Sequence, residues 1–182
     1  MGGTYVKRTL VCGFGNLYRR DDGIGRAVVN RVREQLGHAP LNPMDDGFNE
    51  LGRPVDTVVL HQLVPELAEL VADYDLVIFV DAHVADLSQS LREERITPAY
   101  RSTSFVSHQT HPATVLELAE KMYGRAPQAV MLSLPGYDFD FGEDLSAESR
   151  ALVPSAVNHI IELSANNRSG DKHNHVDAPI KR

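Results

Sequence analysis

The chain is poor in the features that mark specialised classes of protein. It has one cysteine, Cys12, which excludes an internal disulfide framework and fits a reducing cytoplasm. No apolar run approaches the roughly 20 residues of a membrane-spanning helix. The opening MGGTYVKRTLVCG has neither the apolar core nor the cleavage site of a signal peptide. Met1-Gly2 begins like a myristoylation signal, but Val6 stands where that signal takes Ser or Thr. Basic residues form no block and the net charge is -7, which argues against nucleic acid or an anionic membrane as the main partner. There is no G-x-S-x-G elbow, no H-E-x-x-H helix and no P-loop. These absences predict a cytoplasmic globular protein without a familiar self-contained hydrolase motif.

What is present is an alternation of strand-like and helix-like segments. With 182 residues and 42% hydrophobic content, the chain suits one domain with a sizeable core. Thr9–Gly13 reads as a buried strand, followed by a helix over 23–36 with Ile24, Val28, Val32 and Leu36 on one face. Val55–Leu60 is a second strand, and 65–71 a short helix opened by Pro65. The apolar run Leu76–Val80 ends at Asp81 and is the clearest buried strand. An edge strand around Ile96 is demoted by Pro98. Pro112–Tyr123 reads as a helix with Val115, Ala119 and Met122 inward, stopped by Gly124. Ala129–Leu134 is a strand, and Ala147–Leu163 the last helix, with Val153, Val157, Ile160 and Ile161 on its stripe. The pattern predicts a single α/β domain over residues 1–165, a mostly parallel twisted sheet with helices on both faces. Residues 37–54 form a long loop, and 166–182 a polar tail predicted to be disordered.

The segment TLVCGFGNLYRRDDGIG, Thr9 to Gly25, concentrates the chemistry. A dinucleotide loop beginning Gly13-x-Gly15 needs glycine at position 18, where Tyr18 stands. The turn instead delivers Asp21 and Asp22 to a helix start. Acids there also serve as caps. One of two neighbours suffices, so Asp21 is read as the cap and Asp22 as available. Asp81, at the end of a central strand, is either a turn former or a functional acid. His108 lies in FVSHQTHP before a helix, and is either a solvated loop residue or a ligand. Loops after parallel strands share one edge, so Asp22, Asp81 and His108 can meet in one crevice. Two carboxylates and an imidazole suit zinc or nickel. His83 is a further candidate, and Pro112 biases His111 away from helix. His173 and His175 lie in the tail. Cys12 reads as a buried, inert thiol and Ser133 as structural.

These pieces resemble one family, the peptidases that mature nickel–iron hydrogenases. Its signature, G-x-G-N, four residues, then D-[ED]-G-x-G, is matched by Gly13 to Asn16 and Asp21 to Gly25. IFVDA at Ile78–Ala82 matches its third strand, and Ser107-His108 through Pro112 its histidine segment. YGRAP at Tyr123–Pro127 and Pro135-Gly136 complete an ordered set running from about Thr9 to Leu163. The resemblance implies a compact, mostly parallel α/β fold. It also implies an endopeptidase that removes a C-terminal extension from the large-subunit precursor after nickel insertion. Asp22, Asp81 and His108 would contact nickel held by the precursor, and no tightly bound cofactor of its own is expected. Cleavage would use a metal-polarised carbonyl or a metal-activated water. The first acid is often Glu in the family, and the 37–54 loop, with Asp45, Asp46 and Glu50, matches no motif of it. A non-proteolytic nickel-sensing chaperone and a nucleotide-using enzyme are the competing readings, and a monomer is the default.

Overall fold

A computed structural model describes residues 6–85, 91–99 and 110–169. Among these residues, five strands form one sheet: β1 (Thr9–Phe14), β2 (Val55–Leu60), β3 (Leu76–Val84), β4 (Arg92–Ile96) and β5 (Gln128–Gly136), in the order β2-β1-β3-β5-β4. All pairings are parallel except that of β4 with β5. Among the described residues, four helices pack with it: α1 (Ile24–Gln35), α2 (Leu67–Val71), α3 (Pro112–Tyr123) and α4 (Ala147–Ser169).

Alternation along the strands sorts the core into two layers. Val11, Ile78 and Val80 pack with Val28 and Val32 of α1 and Val157 and Ile160 of α4. Leu10, Cys12, Val77 and Phe79 pack on the other face with α2 and with Val115 and Leu116 of α3. Helices therefore cover both faces, as expected. The chain leaves β1 towards β2, then crosses back to place β3 on the opposite side of β1. That reversal lies between β1 and β3, where open α/β sheets form a crevice beyond the carboxyl ends of their strands. The charged residues Arg92–Arg95 leave β4 exposed apart from Ile96, which blunts this edge.

Three expectations need correction. β3 does not end at Asp81 but continues to Val84, paired with β5 through Pro135 and Gly136. Pro135 is tolerated because β4 pairs only with Ala129–Ser133, so no ladder bond to β4 is lost there. Met122 is 66% exposed rather than inward. At 3.6 residues per turn it lies about 90° from the centre of the stripe made by Pro112, Ala113, Val115, Leu116 and Ala119. The last helix passes Leu163 and Asn166 to reach Ser169, because Asn167 Nδ2 donates to Thr9 Oγ1 (3.0 Å) and to the Arg8 carbonyl (3.3 Å). The remainder of the predicted tail, with His173 and His175, lies outside the described residues.

Candidate functional site

The site is built on the turn after β1. Gly15 has φ +131°, and a Cβ there would lie 2.0 Å from the Asp22 carbonyl oxygen, so both conformation and space demand glycine. The Asn16 N–H donates to Asp22 Oδ2 at 2.8 Å, folding the turn back on its own acid. A helix start packed tightly on the sheet follows. A Cβ on Gly25 would lie 2.7 Å from the carbonyl oxygens of both Phe14 and Val80. Gly25 thus performs the close helix–strand packing that the third glycine performs in a dinucleotide loop.

The two adjacent acids have separate roles, and the capping expectation for Asp21 fails. Neither the short 3-10 turn at Arg20–Gly23 nor α1 has a side-chain cap. Asp21 is fully buried and reaches across to the β5–α4 loop. It accepts from the Tyr137 N–H (2.8 Å), the Asp138 N–H (2.9 Å), the Ser146 N–H (2.7 Å) and the Ser146 hydroxyl (2.7 Å). Burial alone would raise its pKa, but these donors prevail and hold it at about 2. Ser146 in turn accepts from the Ser149 N–H at the start of α4. Arg20, at φ 45°, reinforces the connection by donating to Asp138 Oδ2 at 2.9 Å. Arg19 donates to the Phe139 carbonyl.

Asp22 is left facing a cleft of about 180 Å³, together with Asp81, Asn16, Arg19 and His61. Val80 pairs with Gly13, so Asp81 is level with the last residue of β1. Its Oδ1 accepts from the Ala82 N–H at 2.7 Å. Burial, aided by the Asp22 charge and opposed by that hydrogen bond, pushes the Asp81 pKa up to about 7. At neutral pH Asp81 is divided between acid and carboxylate, and a cation entering the cleft would displace its proton.

The structure therefore brings two of the three sequence-nominated residues, Asp22 and Asp81, into one cleft. His108 lies outside the described residues. Among the described residues, no three His, Cys, Asp or Glu side chains are grouped to hold a metal ion. His111 is the N-cap of α3, its Nδ1 accepting from the Ala113 N–H at 3.1 Å. His83 is half-buried within β3, opposite Pro135. Cys12 is buried, and burial pushes its thiol up to about 12. His61 was missed in the sequence. It directly follows β2, the parallel neighbour of β1, so the rule that singled out Asp81 also applied to it.

No protein-family model and no curated protein matches the chain. Solved structures match over most of it. The hydrogenase maturating endopeptidase HybD from Escherichia coli is 24% identical over 90% of this chain and 94% of its own, with a TM-score of 0.64. A hydrogenase 2 maturation peptidase from a Thaumarchaeota archaeon is 22% identical over 87% and 99%, with a TM-score of 0.57. The [NiFe] hydrogenase maturation protease HycI from Thermococcus kodakarensis is 20% identical over 91% and 95%, with a TM-score of 0.55. The chain has the fold of these proteins.

Proposed function

We propose that this chain is a maturation endopeptidase that cuts the C-terminal extension from a nickel–iron hydrogenase large-subunit precursor once nickel is in place. The observation that carries this reading is the meeting of Asp22 and Asp81 in one cleft between β1 and β3. The fold shared with proteins named as such endopeptidases supports it. The ordered motifs, including Ser107-His108, extend that support to residues too far apart in sequence for one local pattern.

In this reading the nickel ion belongs to the substrate and arrives with the precursor. Asp22, Asp81 and His108 contact it and so hold the scissile bond over the cleft. Two carboxylates and an imidazole are a suitable donor set for such an ion. Discrimination follows from assembly, because a precursor without nickel lacks the group that these side chains grip. Arg19, on the cleft wall, supplies a positive charge beside the carboxylates. The reaction takes place in the cytoplasm. Among the described residues, no helix is long and apolar enough to cross a membrane.

The test is incubation of purified protein with nickel-loaded and nickel-free precursor, followed by sizing of the large subunit on a gel. Only the loaded precursor should shorten. Asp22→Ala and His108→Ala should abolish the shift while far-ultraviolet circular dichroism stays unchanged. Normal processing by both variants would refute the assignment, and tight binding without any cleavage would establish a docking chaperone instead.

A further inference from the structure

The long loop between α1 and β2 matched no family motif, yet its structure is unusual for connecting chain. It is pinned along its length. Arg26 of α1 donates to the carbonyls of Asn42 (2.9 Å), Pro43 (3.1 Å) and Asp45 (2.9 Å). Asn30 holds Leu41 from both sides, accepting from its N–H at 2.8 Å and donating to its carbonyl at 3.3 Å. The Val59 N–H of β2 donates to the Asp46 carbonyl at 2.9 Å. Of the loop's acids, Asp45 accepts from Asn42 and Asp46 from the Phe48 N–H, while Glu50 accepts from Arg33 of α1 at 2.9 Å. Between these anchors Met44 is 89% exposed. A methionine held in water by a well-anchored loop is presented for contact, because slack chain would not need three carbonyls fixed by one guanidinium.

Tyr18, in the turn after β1, is 51% exposed. It and Met44 line a groove of about 460 Å³ with Val59 and Leu60. The groove shares Gly15, Asn16 and His61 with the cleft that holds Asp22 and Asp81. The exposed methionine and the two carboxylates therefore border neighbouring depressions with three lining residues in common.

We propose that this groove is the docking track for the extended substrate peptide next to the scissile bond, with Met44 and Tyr18 gripping its apolar side chains. The proposal rests on the endopeptidase reading, since a peptide cut at the cleft meets the groove across their shared residues Gly15, Asn16 and His61. Methionine is adaptable and polarisable and fits apolar side chains of varied shape. Tyrosine gives a large apolar contact at small entropic cost. Because the loop is fixed in advance, binding loses little further order.

The experiment has two arms. In the first, kinetics on nickel-loaded precursor compare the wild type with Met44→Glu and Tyr18→Ala. Both residues are exposed, so thermal unfolding should be unchanged. KM should rise about tenfold for each, equivalent to about 1.4 kcal/mol, with kcat unaltered. In the second, protein labelled with 13C-methyl methionine, which has only 4 Met signals, is titrated with a synthetic peptide spanning the precursor's scissile bond, in an Asp22→Asn background that does not cut. The Met44 signal should shift and saturate. Unchanged KM in both variants, or an unmoved Met44 signal at saturating peptide, would overturn the proposal. So would a Met44 shift that depends on protein concentration alone, because the groove would then bind a second copy of this chain. A peptide-dependent shift without cleavage by the wild type would support the track and refute the peptidase reading.

Discussion

Replacing Asp21 by asparagine should destabilise the protein at neutral pH and remove part of its acid sensitivity. The carboxylate is fully buried. Its Oδ2 accepts from Tyr137, Asp138 and the Ser146 hydroxyl, and its Oδ1 from the Ser146 N–H. In Asp21→Asn the amide oxygen retains the first three donors, while the amide nitrogen meets the fourth donor head-on. A buried N–H left without an acceptor, together with the lost charge on the remaining bonds, costs about 2–3 kcal/mol. Linkage gives an independent figure. The pKa falls from an ordinary 3.8 to about 2, which corresponds to about 2.4 kcal/mol at 1.36 kcal/mol per unit. Because the folded value lies below the unfolded one, this contribution is present above about pH 4 and disappears as pH falls through about 2. Urea unfolding followed by far-ultraviolet circular dichroism suits the chain, which has 0 Trp. The wild type and Asp21→Asn should differ by about 2–3 kcal/mol at pH 7 and converge towards pH 2. Asp22→Asn, which disturbs one bond from Asn16, should stay within about 1 kcal/mol of the wild type. Equal effects of the two substitutions, or a gap that persists unchanged from pH 4 to pH 2, would refute the division of labour between these neighbours.

Asp81→Asn should act in the opposite sense, stabilising the fold above pH 7 while abolishing cleavage. Its folded pKa of about 7 exceeds the ordinary 3.8, so wild-type stability is full below about pH 4 and declines as pH rises towards 7, by at most about 4 kcal/mol and by less where water reaches the carboxyl. Urea midpoints of the two proteins should meet at pH 4 and separate at pH 8. Gly25→Ala gains about 1 kcal/mol of helix propensity, but its Cβ meets two strand carbonyls at 2.7 Å. Net destabilisation of about 1–3 kcal/mol should appear in thermal unfolding. Cys12, with its thiol pushed up to about 12, should resist thiol reagents in the native protein at pH 8 and react only on unfolding.

Most of the architecture was legible because it rests on local periodicity. β2 has the predicted limits, and α3 begins at Pro112 and ends against Gly124 in the left-handed conformation, as the sequence pattern requires. The continuation of β3 was hidden because Asp81, Ala82 and His83 interrupt the apolar run, and only pairing with the far end of β5 keeps them in strand. Asp22 and Asp81 were visible as acids at carboxyl ends of parallel strands. The true partners of Asp21 were not, since they lie 116–125 positions away. The exposed Met122 shows the limit of reading a stripe from three residues. Its i+3 spacing from Ala119 is correct, and the stripe's centre is elsewhere.

The bond between Asp21 and Ser146 also has a consequence in time. The turn that presents Asp22 is braced through Asp21 by a residue 125 positions later. At roughly 5–20 residues per second of synthesis, about 6–25 s separate the two. Throughout that interval the signature turn is made but unbraced, and α4 is absent from one face of the sheet. An emerging chain therefore acquires its braced turn only after Ser146 and α4 have been made, and a fragment that stops before them lacks that brace.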